Sequence, residues 1–363
     1  MHVKQGVCHA LFAGDVGQRI DLAACRPLLA EPTEQATLAH KHHAPEWFQF
    51  DPPPLRVTQA ARALAVGRFQ TLPVVETVVY DFGAVCVTYG IPVSGGPEEL
   101  VELSCALAAD KDLEADARAR LEQVLATIRP AVLQPRVDTL LEDYVVFQLP
   151  DVELSGPLRE LPARRGHELA RILRAEHGPL SDQEVADALA AAVTFGPDDL
   201  TLIDWNTALV FDREADDVRA VLEFANVQLL EIRFLDEQLD RALDRSYETL
   251  LAQQDRWRLR LASRGAELNR VARLQVDGAV LFERVSNALK LLGDQYLARV
   301  YNAASRRLRL AEWDAAIVHK LGTLESIYAK LSDRAAVNRM EVLEWIIIVL
   351  IFVSIVLPFL KLG

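Results

Sequence analysis

The sequence predicts an α+β domain that is followed by a long-helix, coiled-coil-like region and by one C-terminal transmembrane helix. Strand and short-helix patterns alternate over roughly the first two hundred residues, and strand patterns then stop near residue 213. The chain ends shortly after residues 345–360, which carry no charge. These observations divide it into an α+β domain (1–212), a helical region (213–340) and a membrane anchor (341–363).

An antiparallel or mixed sheet is predicted for the N-terminal domain. The apolar run at residues 7–12 is typical of a strand, and residues 77–89 contain two β-branched and aromatic runs that flank a tight hairpin turn. The turn consists of Asp81, Phe82 and Gly83. A glycine at its end can take the positive φ that such a turn requires. Further strands are predicted over residues 144–149 and 200–211.

Helices are predicted between these strands. Pro97 and the two acids after it form a favourable first turn for a helix that continues to about residue 128. Two shorter helices are expected over residues 167–175 and 181–192. Ser181 opens the second of these, with Glu184 three residues later, as in a capping box.

From residue 216 onward the pattern is helical throughout. Apolar residues recur at three- and four-residue spacing, which predicts a long helix with coiled-coil character. A second helix is expected over residues 271–301 and a third from residue 308, with breaks at 264–265 and 302–305. Each helix must bury an apolar stripe, so an intramolecular antiparallel bundle and a homo-oligomer both remain open.

The C-terminal run predicts a membrane anchor. Its sixteen residues, 345–360, would cover about 24 Å as a helix, against roughly 30 Å of hydrocarbon. The anchor residues are Trp345, Ile346, Ile347, Ile348, Leu350, Phe352 and Pro358. More basic residues precede the run than follow it, which predicts a single-pass protein with its N-terminal bulk in the cytoplasm. The high content of Ala, Arg and Leu suggests a bacterial chain, and hence a bacterial inner membrane. The alternative is a buried core helix.

Composition and motifs argue against several classes of function. The net charge of −13 disfavours general nucleic-acid binding through a basic surface. The four cysteines form no CxxC pair, which is typical of reduced thiols, and the N-terminus resembles neither a secretory signal nor a transit peptide. Three crowded histidines, His40, His42 and His43, lack a clear further ligand.

No catalytic constellation stands out from the sequence. The triplet at residues 81–83 spells the metal-binding motif of protein kinases, but no Gly-rich loop or catalytic loop accompanies it. Neither a nucleophile elbow nor a zinc-protease helix motif is present. We therefore predict a protein that is not an enzyme and that has no cofactor and no metal.

Two arginine-rich patches near predicted helix ends are the candidate interaction site. They comprise Arg256, Trp257, Arg258, Arg260, Arg306, Arg307 and Arg309. Guanidinium groups beside apolar or aromatic neighbours suit RNA, acidic lipid headgroups or an acidic partner. The alternative is that they neutralise acids such as Asp236 and Asp240, or that they stabilise helix C-termini.

Two stretches resemble the "required for meiotic nuclear division" family. They are residues 338–351, NRMEVLEWIIIVLI, and the hairpin at residues 78–85, VVYDFGAV. The resemblance implies an α+β domain, a helical segment and one C-terminal transmembrane helix. Eukaryotic members include a mitochondrial inner-membrane protein that supports translation of mitochondrially encoded proteins, as an anchor or scaffold.

The sequence thus favours a tail-anchored, non-catalytic scaffold that holds a cytoplasmic partner at a membrane. The expected partners are the membrane, an unidentified protein and a further copy of the chain. The alternative is a membrane-tethered RNA- or ribosome-associated factor that supports translation. An enzyme with an unfamiliar site in the α+β domain is the third hypothesis.

Overall fold

A computed structural model describes residues 1–29, 33–35, 52–252, 276, 295–327 and 329. In the helix that ends at residue 252, side chains are described as far as residue 245. The chain divides into two compact units. One combines Met1–Phe234 with Val280–Trp313, and the other combines Leu235–Ala279 with Asp314–Gly363.

Most strands of the first unit belong to one large mixed sheet. In chain order the strands are β1 (His2–Asp15), β2 (Arg19–Ile20), β3 (Thr33–Gln35), β4 (Leu55–Ala60), β5 (Ala65–Val66), β6 (Phe69–Gln70), β7 (Val74–Val79), β8 (Ala84–Gly95), β9 (Val132–Leu133), β10 (Leu141–Glu153), β11 (Ala192–Val193), β12 (Leu200–Ile203) and β13 (Thr207–Phe211). Among the described residues, nine strands pair in the order β11-β12-β13-β10-β1-β8-β7-β4-β3. The β10–β13 pair is parallel, whereas the central strands β1, β8 and β10 pair antiparallel.

The β7–β8 hairpin has a turn that only glycine can complete. Gly83 has a φ of 115°, and a Cβ atom there would lie 1.8 Å from the carbonyl oxygen of Gly17. The amide of Val16 donates to the carbonyl of Gly83 at 3.0 Å. The turn at residues 81–83 therefore packs directly on the segment that follows β1.

Seven helices with defined bounds lie in the described part of the chain. They are α1 (Leu22–Cys25), α2 (Pro97–Ala109), α3 (Lys111–Ile128), α4 (Leu161–Arg174), α5 (Asp182–Ala188), α6 (Asp216–Ala252) and α7 (Gln295–Arg307). Residues 310–327 are also helical. Asp110 separates α2 from α3 because its carboxylate accepts a hydrogen bond from the amide of Leu113, which makes it an N-cap.

The two faces of the sheet differ in character. Tyr89 of β8 points toward α3, where its hydroxyl donates to Asp116 at 2.6 Å. This face carries the main apolar core, which includes Phe12, Leu121 and Ile172. Neighbouring residues of a strand point to opposite faces, and Thr88 pairs across the sheet with Glu76, which contacts α6. Helix α6 therefore covers the other face.

The second unit contains the distal half of α6 and part of the helical segment at residues 310–327. Within it, Lys320 forms ion pairs of 2.6 Å with both Asp236 and Asp240. Leu239 and Leu324 are fully buried. The described part of this unit is thus held by apolar packing and by one lysine that bridges two acids one helical turn apart.

The described residues contain no helix that is both long enough and apolar enough to cross a membrane. Helix α6 has the length, at 37 residues, but charged side chains recur along it. The sequence predicted a C-terminal transmembrane helix and a tail-anchored, single-pass membrane location, and neither prediction is supported. The described residues form a mixed α+β fold with a large sheet. The predicted anchor residues lie outside the described residues; these are Trp345, Ile346, Ile347, Ile348, Leu350, Phe352 and Pro358.

Candidate functional site

The buried charges of the first unit concentrate where the first half of α6 crosses the sheet. We call this set the docking interface, and its charged members are Asp15, Glu76, Glu142, Arg219, Glu223 and Glu231. All except Glu76 are at most 7% exposed. A buried charge is stable only when it is paired, neutralised or hydrogen-bonded. The neighbours of each member therefore determine its charge and its contacts.

Arg219 of α6 and Glu76 of β7 form the central ion pair of the docking interface. Their two contacts measure 2.7 Å (Nη1 to Oε1) and 3.5 Å (Nη2 to Oε2), and Arg56 reaches the same carboxylate at 3.3 Å. Burial opposes ionisation of Glu76, but the charge and hydrogen bond of Arg219 together with the charge of Arg56 outweigh burial and lower the pKa of the carboxyl. Glu76 is therefore ionised at neutral pH and holds two guanidinium groups.

A hydrogen bond between a tyrosine and a glutamate lies beside this ion pair. The hydroxyl of Tyr80 donates to Oε1 of Glu223 at 2.8 Å, and the Tyr80 ring stacks on Phe82 of the hairpin turn. Burial raises the pKa of both groups. The second oxygen of Glu223, Oε2, has no hydrogen-bond partner among the described residues.

Groups of nucleophilic or basic type near the interface are poorly suited to catalysis. Burial and the nearby Arg219 lower the pKa of His9 to about 4, and its Nε2 lies 3.1 Å from the amide oxygen of Gln148. Burial raises the pKa of the Cys8 and Cys86 thiols well above their ordinary value. Since the thiolate is the reactive form, both cysteines are unreactive at neutral pH.

Two buried carboxyls, Asp15 and Glu231, have pKa values that burial raises. Asp15 lies on β1 and Glu231 on α6, and Nε of Arg136 is 3.7 Å from Oδ1 of Asp15. The guanidinium of Arg136 also lies 4.6 Å from the ring centroid of Phe234. Burial raises the pKa of Asp15 to about 7 and that of Glu231 well above its ordinary value, and the charge of Asp15 adds to the effect on Glu231.

Glu142 of β10 anchors α6 through two contacts. Its carboxylate accepts a hydrogen bond from Arg233, and its backbone carbonyl accepts one from the side chain of Asn226 at 3.3 Å. Burial raises the pKa of Glu142 to about 7 despite the charge of Arg233. Sheet and helix are thus joined at several successive positions along α6.

Within the first unit, a separate cluster fastens α7 to α4, to α5 and to the residue that follows β12. Asp204, which is fully buried, accepts hydrogen bonds from Arg307 and pairs with Nε of Arg174 at 2.9 Å. Both arginines also pair with Asp187. The contact with Arg307 lowers the pKa of Asp187. Glu184 also lies 3.8 Å from Arg174, so three acids face the two arginines of this cluster.

A cavity of about 160 Å³ lies on the opposite face of the sheet, against β1, β10 and the end of α2. Its polar lining includes Ser104, Asp110, Glu114, Asp143 and Asn206. Ser104 and Asp110 already make structural hydrogen bonds. Within the described residues, no group of three or more His, Cys, Asp or Glu side chains is arranged to hold a metal ion.

A family model described as "Uncharacterized protein MJ0711, N-terminal domain" matches residues 5–217, which is more than half of the chain. The chain belongs to the MJ0711 N-terminal domain family. Over 226 residues it is 22% identical to "Uncharacterized protein MJ0711" of Methanocaldococcus jannaschii, which covers 62% of this chain and 68% of that protein. No solved structure matches. These matches give no support to the predicted "required for meiotic nuclear division" family.

The matched region of the MJ0711 N-terminal domain family ends at the start of α6. It includes β1 to β13 and the first five helices. Of the docking interface, Asp15, Glu76 and Glu142 lie inside the match, whereas the side chains that α6 contributes lie beyond it. The interface therefore joins the family domain to the segment that follows it.

The residues singled out from the sequence are placed in different ways. Asp81, Phe82 and Gly83 form the β7–β8 turn. Arg306 and Arg309 are exposed near the end of α7, whereas Arg307 pairs with acids other than those expected. The first arginine patch, Arg256, Trp257, Arg258 and Arg260, lies outside the described residues, as do the three histidines His40, His42 and His43.

The docking interface itself was not predicted from the sequence. Arg219, Glu223 and Asn226 follow each other at helical spacing among apolar residues, so they share the face of α6 that is turned to the sheet. Charged residues on an otherwise apolar helix face are the signal that could have revealed it. The sequence does not show which strand residues they meet.

Proposed function

We propose that this protein is a non-catalytic scaffold in which the family's α+β domain fixes the first half of α6 and the second half of that helix binds a protein partner. The observation that carries the proposal is the docking interface. Its charged groups are directed from α6 to the sheet, and a buried ion pair such as Arg219–Glu76 specifies one arrangement of helix and sheet.

The chemistry of the described side chains favours binding over catalysis. The pKa of His9 is lowered, so the imidazole is neutral, and it is hydrogen-bonded to Gln148. The pKa values of Cys8, Cys25, Cys86 and Cys105 are all raised. A catalytic acid, base or nucleophile needs a pKa close to the working pH and access to a substrate. Asp15 and Glu142 have pKa values of about 7, but they are only 2% and 7% exposed, so a substrate does not reach them.

The second half of α6 suits a basic partner. Glu237, Asp240 and Asp244 are exposed and recur at three- and four-residue spacing, so they lie along one side of the helix. Glu237 pairs with Arg241 and Asp240 pairs with Lys320, so Asp244 is the acid of this row that makes no ion pair within the described residues. The chain as a whole carries a net charge of −13, which attracts basic surfaces and repels acidic ones. We therefore identify the partner as a protein with a basic surface.

Site-specific photocrosslinking in the native host tests this proposal. A crosslinking amino acid at Asp244 should capture the same basic protein in repeated preparations, and one at the exposed Gln123 of α3 should not. The double variant Glu237→Lys, Asp244→Lys should abolish that product while the melting temperature is retained. A product that survives the charge reversal, or that forms equally from Gln123, would refute the proposed role of α6.

A second candidate function is association with RNA or a ribosome. Arg306 and Arg309 are exposed, and they do not take part in the ion pairs that Arg307 makes with Asp187 and Asp204. Exposed guanidinium groups bind phosphates in a salt-dependent way. The net charge of −13 on the whole chain argues against this candidate. Co-sedimentation of the Arg306→Gln, Arg309→Gln variant with ribosomes tests it.

A further inference from the structure

The guanidinium group of Arg307 is bound by two acids of the family domain. Its Nη1 donates to Oδ1 of Asp187 at 3.3 Å and its Nη2 donates to Oδ2 of the same carboxylate at 3.1 Å, which is the two-pronged geometry typical of arginine and carboxylate. The other side of the guanidinium faces Asp204, whose Oδ1 accepts from Nε at 3.1 Å and also from Nη2. Two carboxylates from different elements thus bind one guanidinium through most of its N–H groups.

The family domain builds this site without any residue of α7. Asp187 belongs to α5, Asp204 directly follows β12, and both lie within the family match at residues 5–217. The hydroxyl of Tyr144 donates to the backbone carbonyl of Asp204 at 2.9 Å, and Nε of Arg174 lies 2.9 Å from its Oδ2. These contacts fix the buried carboxylate independently of α7, so the site is preorganised for a guanidinium group.

The charges of the domain leave this site with an excess of negative charge. Arg174 forms ion pairs with three acids, at distances of up to 3.8 Å: Asp187, Asp204 and Glu184. Without Arg307, one arginine therefore faces three carboxylates, of which that of Asp204 is fully buried. An uncompensated buried carboxylate is costly, so the site requires a second cation.

The position of Arg307 allows its side chain to leave the site while α7 stays packed. It is the last residue of α7, and Arg309, two residues later, has a φ of 55° that departs from helix. The side chain of Arg307 is 17% exposed and that of Asp187 is 55% exposed, so the site is open to solvent on the Asp187 side. Rotation of the long side chain, or opening of the last helical turn, is enough to release the guanidinium.

We propose that Asp187 and Asp204 form a guanidinium-binding site for an arginine of a partner protein, and that Arg307 occupies this site as an intramolecular competitor. The partner residue is arginine and not lysine, because the two carboxylates meet a planar fork of N–H donors that an ammonium group cannot reproduce. The identification of this partner with the basic protein that binds α6 rests on the proposed function, whereas the site itself does not.

The surface beside the site also suits a protein partner. Trp205, whose amide donates to Oδ1 of Asp204 at 2.9 Å, is 52% exposed. Tryptophan and arginine are both enriched in protein–protein interfaces and in the few residues that dominate their binding energy. An incoming arginine therefore finds a large aromatic residue next to the carboxylates that bind it.

Chemical rescue of Arg307→Ala tests the site on the purified full chain. Methylguanidinium at about 50 mM should raise the melting temperature of this variant by about 2 °C or more relative to methylammonium at the same concentration, because a ligand that binds the folded chain stabilises it. The wild type, whose site is filled, and Arg306→Ala, which removes an exposed arginine beside it, should show no such difference. The same response of all three proteins to both ions would overturn the proposal.

Binding of a fluorescently labelled hexa-arginine peptide tests the competition. Arg307→Ala should bind this peptide about tenfold or more tightly than Arg306→Ala, since both variants lose one positive charge but only the first empties the site. A hexa-lysine peptide should not distinguish the two variants. Equal affinities of the two variants for hexa-arginine, or the same gain with hexa-lysine, would show that the site does not select a guanidinium group.

Arg307→Lys is the second variant if Arg307→Ala does not fold. It keeps the positive charge but lacks the planar fork, so it should bind hexa-arginine more tightly than the wild type does. An affinity equal to that of the wild type would contradict the proposal. These measurements need no cellular partner, so a failure of the photocrosslinking experiment leaves their outcome unchanged.

Discussion

Arg219 and Glu76 are 143 residues apart in the sequence, and Nη1 of the arginine lies 2.7 Å from Oε1 of the glutamate. Glu76 belongs to β7 inside the family domain, whereas Arg219 lies two residues beyond the end of the family match. The arginine side chain is 7% exposed and that of the glutamate is 21% exposed. This pair therefore joins the domain to α6. Because the pair is largely buried, dissolved salt screens it only weakly.

Arg219→Met should lower the free energy of unfolding by about 2 kcal/mol or more, because it leaves the partly buried carboxylate of Glu76 with only Arg56 as a partner. Urea denaturation monitored by circular dichroism measures this loss. Arg241→Ala removes an exposed pair with Glu237 on the same helix and should cost less than about 1 kcal/mol.

The same pair can be examined by a double-mutant cycle. Arg219→Met in a Glu76→Gln background should cost clearly less than in the wild type, since the neutral amide no longer needs a cation. Equal costs in both backgrounds would show that packing of the arginine stem, and not its charge, holds α6 at this position.

Gly83→Ala should be strongly destabilising, by about 2 kcal/mol or more, because alanine is strained at a φ of 115° and its Cβ would collide with the carbonyl of Gly17. Gly322→Ala is the matched control. Gly322 lies in the helical segment at residues 310–327 with nothing within 4 Å of a Cβ atom. There the substitution should stabilise by about 0.5–1 kcal/mol. Thermal melts of both variants measure whether each substitution lowers or raises the melting temperature.

Local patterns account for the parts of the fold that could be predicted. The β7–β8 hairpin and the N-cap of α5 by Ser181 depend on residues close together in the chain. A continuous helix was expected from Pro97 to about residue 128, but Asp110 has an extended ψ of 104° and starts a new helix. The strand expected at residues 200–211 is two strands, because the peptide turns at residues 204–206.

The later helices show why breaks are harder to predict. A break was expected at residues 302–305, yet α7 continues to Arg307 because Ala303 and Ala304 are buried and favour helix. The chain departs from helix at Arg309, whose φ is 55°. The docking interface needs contacts across more than a hundred residues of sequence, and no local pattern contains that information.

The three arginines near the end of α7 should separate into two classes. Arg307→Gln should destabilise the first unit, since it leaves the fully buried Asp204 with one arginine instead of two. The combined Arg306→Gln, Arg309→Gln variant should melt within about 2 °C of the wild type, because surface substitutions have small effects. Differential scanning fluorimetry compares the variants, and a larger loss from the exposed pair would contradict this division.

His9 should make the fold less stable in acid. Its pKa falls from its ordinary value of 6.5 to about 4 in the folded chain, so the unfolded chain takes up a proton first as the pH is lowered. The difference corresponds to at most about 3 kcal/mol, lost between about pH 6.5 and about pH 4.

His9→Asn cannot be protonated in this range, although its amide can still hydrogen-bond Gln148. Because Asp15 and Glu142 titrate with the opposite sign, the informative quantity is the wild-type free energy of unfolding minus that of His9→Asn, measured by urea denaturation at each pH. This difference should decrease as the pH is lowered, and a difference independent of pH would mean that His9 is hydrated and charged in the folded chain.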